Sequence, residues 1–195
     1  DQNLGERHGR ILSEQVTLPD QLTVARALSV PVVVVLYEWN FPNHDYWATG
    51  VFIAAMTTDW LDGQIARRRG HSSSLGTLLD PVADKLLVLS VLITLIDQHV
   101  FPAWMVVAIV AREFLVSGLR LAALERGVVI AARDLGKLKT WSQAVAAAVG
   151  GLAAAGLWSD RVAWWALLVA VVLTWVSGLD YARVAPALLR KRAVA

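Results

Sequence analysis

The sequence contains no cysteine, so neither a disulfide nor a thiolate metal site can form. Charge is scarce as well. Only 17% of the 195 residues are charged, against 56% hydrophobic, and the mean hydropathy is +0.52. An ordinary water-soluble domain is more charged and less apolar. The net charge of +2 is too small to imply a nucleic-acid partner, and the placement of the charges is more informative than their sum. The first seventeen residues, DQNLGERHGRILSEQVT, lack an apolar run, so no cleavable signal peptide is expected there. Leu4, Ile11, Leu12 and Val16 could line one face of a short helix on a membrane surface; the alternative is a frayed tail.

What the chain has in abundance is apolar sequence. Segments long enough to cross a bilayer recur six times, at 22–38, 47–62, 80–96, 103–124, 140–157 and 162–179. The expected architecture is all-α and polytopic, with six transmembrane helices. The connections 40–46, 97–102 and 158–161 hold one basic residue, Arg161; the other seventeen of eighteen lie in the tails, in the remaining two connections or near them. The positive-inside rule therefore places both termini in the cytoplasm. Trp39, Trp47, Trp104 and Trp158 fall at outer helix ends, as an aromatic belt requires. The fifth segment, AVAAAVGGLAAAG, is built of small residues that let backbones approach, inside the bundle or at a dimer interface. One domain is expected over 18–189, preceded by a juxtamembrane segment at 1–17 and followed by a basic tail at 190–195.

Carboxylates interrupt the second and third segments. Asp59 and Asp62 are three apart and Asp80 and Asp84 four apart, so each pair shares a helix face. Counting about 1.5 Å per residue from the outer ends puts Asp59 near Asp84 in depth, roughly 18 and 20 Å, and Asp62 near Asp80, roughly 22 and 25 Å. Each carboxylate costs roughly 3 kcal/mol or more to bury unpaired in lipid. Lys85 alone cannot neutralise four. Hard divalent cations such as Mg²⁺ or Mn²⁺ can, since they prefer oxygen ligands, and two of them suit phosphoryl chemistry. The alternative is that the aspartates cap cytoplasmic helix ends and pair with Arg67, Arg68 and Arg69. Pro81 either kinks the third helix or opens it after an Asp80 cap.

Asp59, Asp62, Gly63, Ala66, Arg67, Gly76, Asp80 and Asp84 together reproduce D-x-x-D-G-x-x-A-R-x₈-G-x-x-x-D-x-x-x-D. This pattern resembles the signature of the CDP-alcohol phosphatidyltransferases, integral-membrane enzymes of phospholipid synthesis. The resemblance implies six helices around a polar cavity open to the cytoplasm and a homodimer, and a bacterial inner membrane suits so minimal a six-helix chain. It also implies roles. Asp59, Asp62, Asp80 and Asp84 would hold two divalent ions, and Asp84 would act as general base. Asp62, Gly63, Ala66, Arg67 and Gly76 would frame the cytidine diphosphate. The stretch from Pro19 to Arg26 is similar to the family's P-N-x-L-T-x-x-R opening, with Asp20 where Asn is usual.

A second pattern narrows the acceptor. Arg112-Glu113, Leu119-Arg120, Gly136-Lys137-Leu138-Lys139-Thr140 and Gln143 resemble the branch of the family that uses glycerol 3-phosphate. Such a dianion needs cations close to the metals. Arg112, Arg120, Lys137 and Lys139 are the expected phosphate-binding set, Arg as a bidentate fork and Lys as a point charge. The alternative for Arg112 is a structural ion pair with Glu113. The implied reaction moves the phosphatidyl group of CDP-diacylglycerol to glycerol 3-phosphate and releases CMP. Three other readings stand beside it. Another acceptor on the same scaffold would make a phosphatidylinositol phosphate synthase or a cardiolipin synthase. A divalent-cation transporter would need its acidic path to continue outward, where both helices are apolar. A structural protein with metal-stapled helices leaves the Gly63, Ala66 and Gly76 spacing unexplained.

Overall fold

The structure, a computed structural model, describes residues 18–69, 74–125 and 134–192, with side chains over 25–58, 85–123 and 136–180. These residues form six helices and no strand: α1 Leu18–Glu38, α2 His44–Arg69, α3 Ser74–Asp97, α4 Ala103–Glu125, α5 Asp134–Ala154 and α6 Asp160–Arg192. Each coincides with one apolar segment of the sequence. The helices outrun those segments, mostly at the end where charge gathers, because residues such as Gln64, Lys137 and Arg190 are good helix formers without being apolar. Helix α3 begins at Ser74, so Pro81 lies inside it and Asp80 is not its cap. The amphipathic segment expected at 1–17 lies outside the described residues.

Short connections force neighbouring helices to run antiparallel. The turns after α3 and α5 close in the same way. His99 and Gly156 take left-handed backbone, with φ of 61° and 73°. In each turn the following amide, Val100 N or Leu157 N, donates back five residues to Leu95 O or Leu152 O, which satisfies carbonyls the helix leaves open. Three connections share one end of the bundle. Gln98 Nε2 donates to the Tyr37 carbonyl at 3.3 Å, and Asn40–Tyr46 border Ala154 and Ala155 in a common cavity. Trp39, Trp47, Trp104 and Trp158 are all exposed at that end.

The core fills the space between helices with Val33, Phe52, Leu87, Leu92, Leu95, Met105, Ile109 and Leu167. Apolar side chains also face outward, among them Val107, Phe114 and Leu115 on α4 and Val169, Val172 and Val176 on α6. Among the described residues one helix, over Asp160–Asp180, is by itself long and apolar enough to cross a membrane. The second, third and fourth helices carry the aspartates, Arg112 and Glu113, and these charges dilute their hydropathy.

The small-residue stretch of α5 packs inside the bundle. Gly151 lies on the buried hydrogen bond between Tyr37 Oη and Thr49 Oγ1, 2.9 Å long, which ties α1 to α2. A Cβ at Gly151 would stand 2.5 Å from Tyr37 Oη and against Thr49 Oγ1 as well. A methyl group there forces apart two hydroxyls that have no other described partner. Gly151→Ala should therefore destabilise the protein by about 1–3 kcal/mol, the usual cost of overpacking. Gly50→Ala meets nothing within 4 Å and should stabilise by up to ~1 kcal/mol through helix propensity. Thermal unfolding of both variants in one detergent checks the opposite signs.

Candidate active site

The depth of each aspartate follows from the ends of the helices. Measured along α2 from His44, Asp59 lies about 22 Å and Asp62 about 27 Å from the tryptophan-bearing end. Measured along α3 from Asp97, Asp84 lies about 20 Å and Asp80 about 26 Å from that end. The two pairs keep the matched depths expected from sequence, within continuous helix. Both α2 and α3 pack on α1 and on α5, so these two hold the acidic helices in one bundle. The side chains of Asp59, Asp62, Gly63, Ala66, Arg67, Gly76, Asp80 and Asp84 lie outside the described residues.

The cationic half of the site is built from α3, α4, α5 and α6. Glu113 is its centre. Oε1 accepts from Arg112 Nη1 at 3.0 Å, from Lys139 Nζ and from Gln143 Nε2 at 3.3 Å. Oε2 faces Lys85 Nζ at 3.7 Å, and Lys85 also donates to Ser117 Oγ at 3.1 Å. The sixth helix closes the group: Arg112 Nη2 donates to Ser177 Oγ at 3.1 Å and Gln143 Nε2 to Thr174 Oγ1 at 2.7 Å. Gly178 lets α6 approach Arg112, since a Cβ there would lie 2.9 Å from Arg112 Nε. Burial decides what these groups can touch. Arg112, Glu113 and Lys139 are 3%, 4% and 9% exposed, whereas Arg120 and Lys137 are exposed.

Of the four cations expected to bind phosphate, the structure thus joins Arg112 and Lys139 through Glu113. Arg120 and Lys137 are exposed and lie about 26 Å from the end that carries Trp39, Trp47, Trp104 and Trp158, level with Asp62 and Asp80. The ion pair of Arg112 with Glu113, given from sequence as the alternative role of Arg112, is present, and Gln143 of the second pattern joins it; sequence reading missed Thr174 and Ser177. The one available signal was the crowding of polar residues in otherwise apolar segments.

The residues present fit a pair of divalent cations. All four expected ligands are hard oxygen donors, they come from two helices at matched depths, and the i,i+3 and i,i+4 spacings lie in unbroken helix. The cavity at the opposite end, of about 500 Å³, lies among Asn43, His44, Asp45, Tyr46 and Ala155. Burial raises the Asp45 carboxyl there, and the adjacent His44 opposes the rise. This cavity is remote from Asp59, Asp62, Asp80 and Asp84, and among the described residues Asp45 is the one carboxylate that lines it.

Fold and motif define the class. The profile of the CDP-alcohol phosphatidyltransferases matches residues 16–176, and the chain belongs to that family. It is 40% identical over 180 residues to the CDP-diacylglycerol–glycerol-3-phosphate 3-phosphatidyltransferase of Bacillus subtilis (strain 168), covering 84% of this chain and 92% of that protein. Proteins of the same name from Rickettsia bellii and Shigella flexneri serotype 5b are 36% and 35% identical, over 84% and 86% of this chain and 92% and 93% of their own lengths.

Proposed function

We propose that this protein transfers the phosphatidyl group of CDP-diacylglycerol to glycerol 3-phosphate, giving phosphatidylglycerophosphate and CMP. One observation carries the reading. Counted along their helices, the four aspartates of α2 and α3 come to depths similar to those of Arg120, Lys137 and Lys139 on α4 and α5, at the end away from Trp39, Trp47, Trp104 and Trp158, which supports an acidic and a cationic half of one site. The names of the relatives support glycerol 3-phosphate as acceptor.

The setting is a bacterial inner membrane crossed by all six helices. Both termini and a polar cavity face the cytoplasm, and two copies form a homodimer. The outward Val, Leu and Phe side chains suit lipid, and the basic connections suit the cytoplasmic side. Asp59, Asp62, Asp80 and Asp84 hold two Mg²⁺ or Mn²⁺ ions. When bound, these supply Lewis acidity toward the oxygens of the diphosphate. Asp62, Gly63, Ala66, Arg67 and Gly76 seat the cytidine diphosphate, the small residues leaving room for the nucleotide along one face. Arg120 and Lys137 contact the acceptor phosphate directly, over a buried floor made by Arg112 and Lys139. Asp84 takes the proton of the 1-hydroxyl of glycerol 3-phosphate. The hydroxyl oxygen bonds to the phosphorus that carries diacylglycerol, and the bond from that phosphorus to the CMP oxygen breaks. No covalent enzyme intermediate is involved.

An acceptor screen tests the assignment. With CDP-diacylglycerol as donor, glycerol 3-phosphate should support CMP release at least about a hundredfold faster than inositol phosphate or phosphatidylglycerol, as expected where charged acceptor groups must be paired. Turnover with either of the others and none with glycerol 3-phosphate would refute it. Metal flux in liposomes without transfer would instead indicate a cation transporter.

A further inference from the structure

Glu113 has no place in the chemistry above, yet it is the most connected buried side chain described. Its carboxylate receives three cations from three different helices: Lys85 from α3, Arg112 from α4 and Lys139 from α5. Sealing one salt bridge would need one cation. Among the described residues, three cations on one carboxylate leave an excess of two positive charges in a place where burial makes every uncompensated charge costly. Glycerol 3-phosphate carries close to two negative charges near neutral pH, since the second phosphate ionisation falls near 6. The surplus therefore favours an anionic ligand beside the cluster, where Arg120 and Lys137 add further positive charge. Lys85 gives the cluster its reach: its side chain is 39% exposed, and it follows Asp84 in the chain.

We propose that Glu113 is a positioning residue for the acceptor. It binds the three cations into one seat for a dianionic phosphate and fixes that seat to the turn of α3 that carries Asp84. This rests on glycerol 3-phosphate being the acceptor. Without the carboxylate, Lys85, Arg112 and Lys139 repel one another, and the two lysines are free to turn away. Arg112 stays pinned by Ser177 and by the close approach of Gly178. The consequence falls on one substrate, because no member of the cluster belongs to the set assigned to CDP-diacylglycerol.

Steady-state kinetics of Glu113→Gln and Glu113→Asp test this. The Gln variant should raise KM for glycerol 3-phosphate about tenfold or more, as loss of charge-assisted hydrogen bonds implies, while KM for CDP-diacylglycerol changes less than about twofold. The Asp variant keeps the charge and should recover to within about threefold of the unaltered protein. An unchanged KM for glycerol 3-phosphate in Glu113→Gln, or an equal rise for both substrates, overturns the proposal. If Glu113→Gln does not fold, Gly178→Ala reads the same cluster by pressing on Arg112. A selective rise in KM for glycerol 3-phosphate supports the proposal and an unchanged KM overturns it. If the unaltered protein shows no turnover with glycerol 3-phosphate, the acceptor assignment and this inference fall together. Normal turnover with an unaffected Gln variant removes only the inference.

Discussion

Asp84→Asn is expected to lower turnover by about a thousandfold, within the range set by general base catalysis, and to leave binding of CDP-diacylglycerol largely intact. The substitution keeps the shape of the side chain and one oxygen donor, but the amide cannot accept the hydroxyl proton. Asp59, Asp62 and Asp80 remain to hold the diphosphate, so binding and chemistry should separate. Initial rates measured beside equilibrium binding of CDP-diacylglycerol in nanodiscs make the comparison. Retained activity would refute the role of Asp84 as base. Equal loss of binding and rate would show that it serves only to hold the donor.

Removal of divalent cations should have an effect of similar size. Four carboxylates drawn from α2 and α3 to one depth are mutually repulsive and costly to bury unless cations sit among them. Treatment with a chelator should lower the rate at least about a hundredfold, the scale expected when Lewis acidity is withdrawn from a phosphoryl transfer. Mg²⁺ or Mn²⁺ should restore it. Asp59→Asn should shift the restoring concentration upward, because it removes one charged ligand and leaves the rest. Full activity in the presence of chelator would contradict this assignment.

What the sequence revealed and what it hid divide along physical lines. The six helices were legible because each must present an apolar run to its surroundings, and such runs are visible one residue at a time. Helix ends were less legible. The segment 47–62 marks only the apolar part of α2, which continues to Arg69, because polar helix formers extend a helix without extending its hydropathy. Pro81 gave an ambiguous signal, and α3 runs through it. The aspartate pairs are expected from their spacing along each helix; the structure adds that both pairs lie in continuous helix, and their side chains lie outside the described residues.

The Glu113 network was legible only in part: the Arg112–Glu113 ion pair stood as an alternative and Lys139 and Gln143 belonged to the same pattern, but that they meet is a tertiary fact. Arg112, Lys139, Gln143, Thr174 and Ser177 lie up to sixty-five positions apart and meet only when α4, α5 and α6 pack. Glycine behaved in a similar way. The run around Gly150 and Gly151 announced close approach, but Phe101, Leu95, Tyr37 and Thr49 as the groups approached come from the packing alone.

The central claim is that carboxylates from α2 and α3 clasp divalent cations at the end of the bundle away from Trp39, Trp47, Trp104 and Trp158. Crystals grown with Mn²⁺ and measured at the manganese absorption edge test it most directly. The expected result is a pair of anomalous peaks, each bounded by carboxylates of Asp59, Asp62, Asp80 and Asp84. Peaks elsewhere, or no peak with those side chains turned apart or bonded only to arginine, would contradict it.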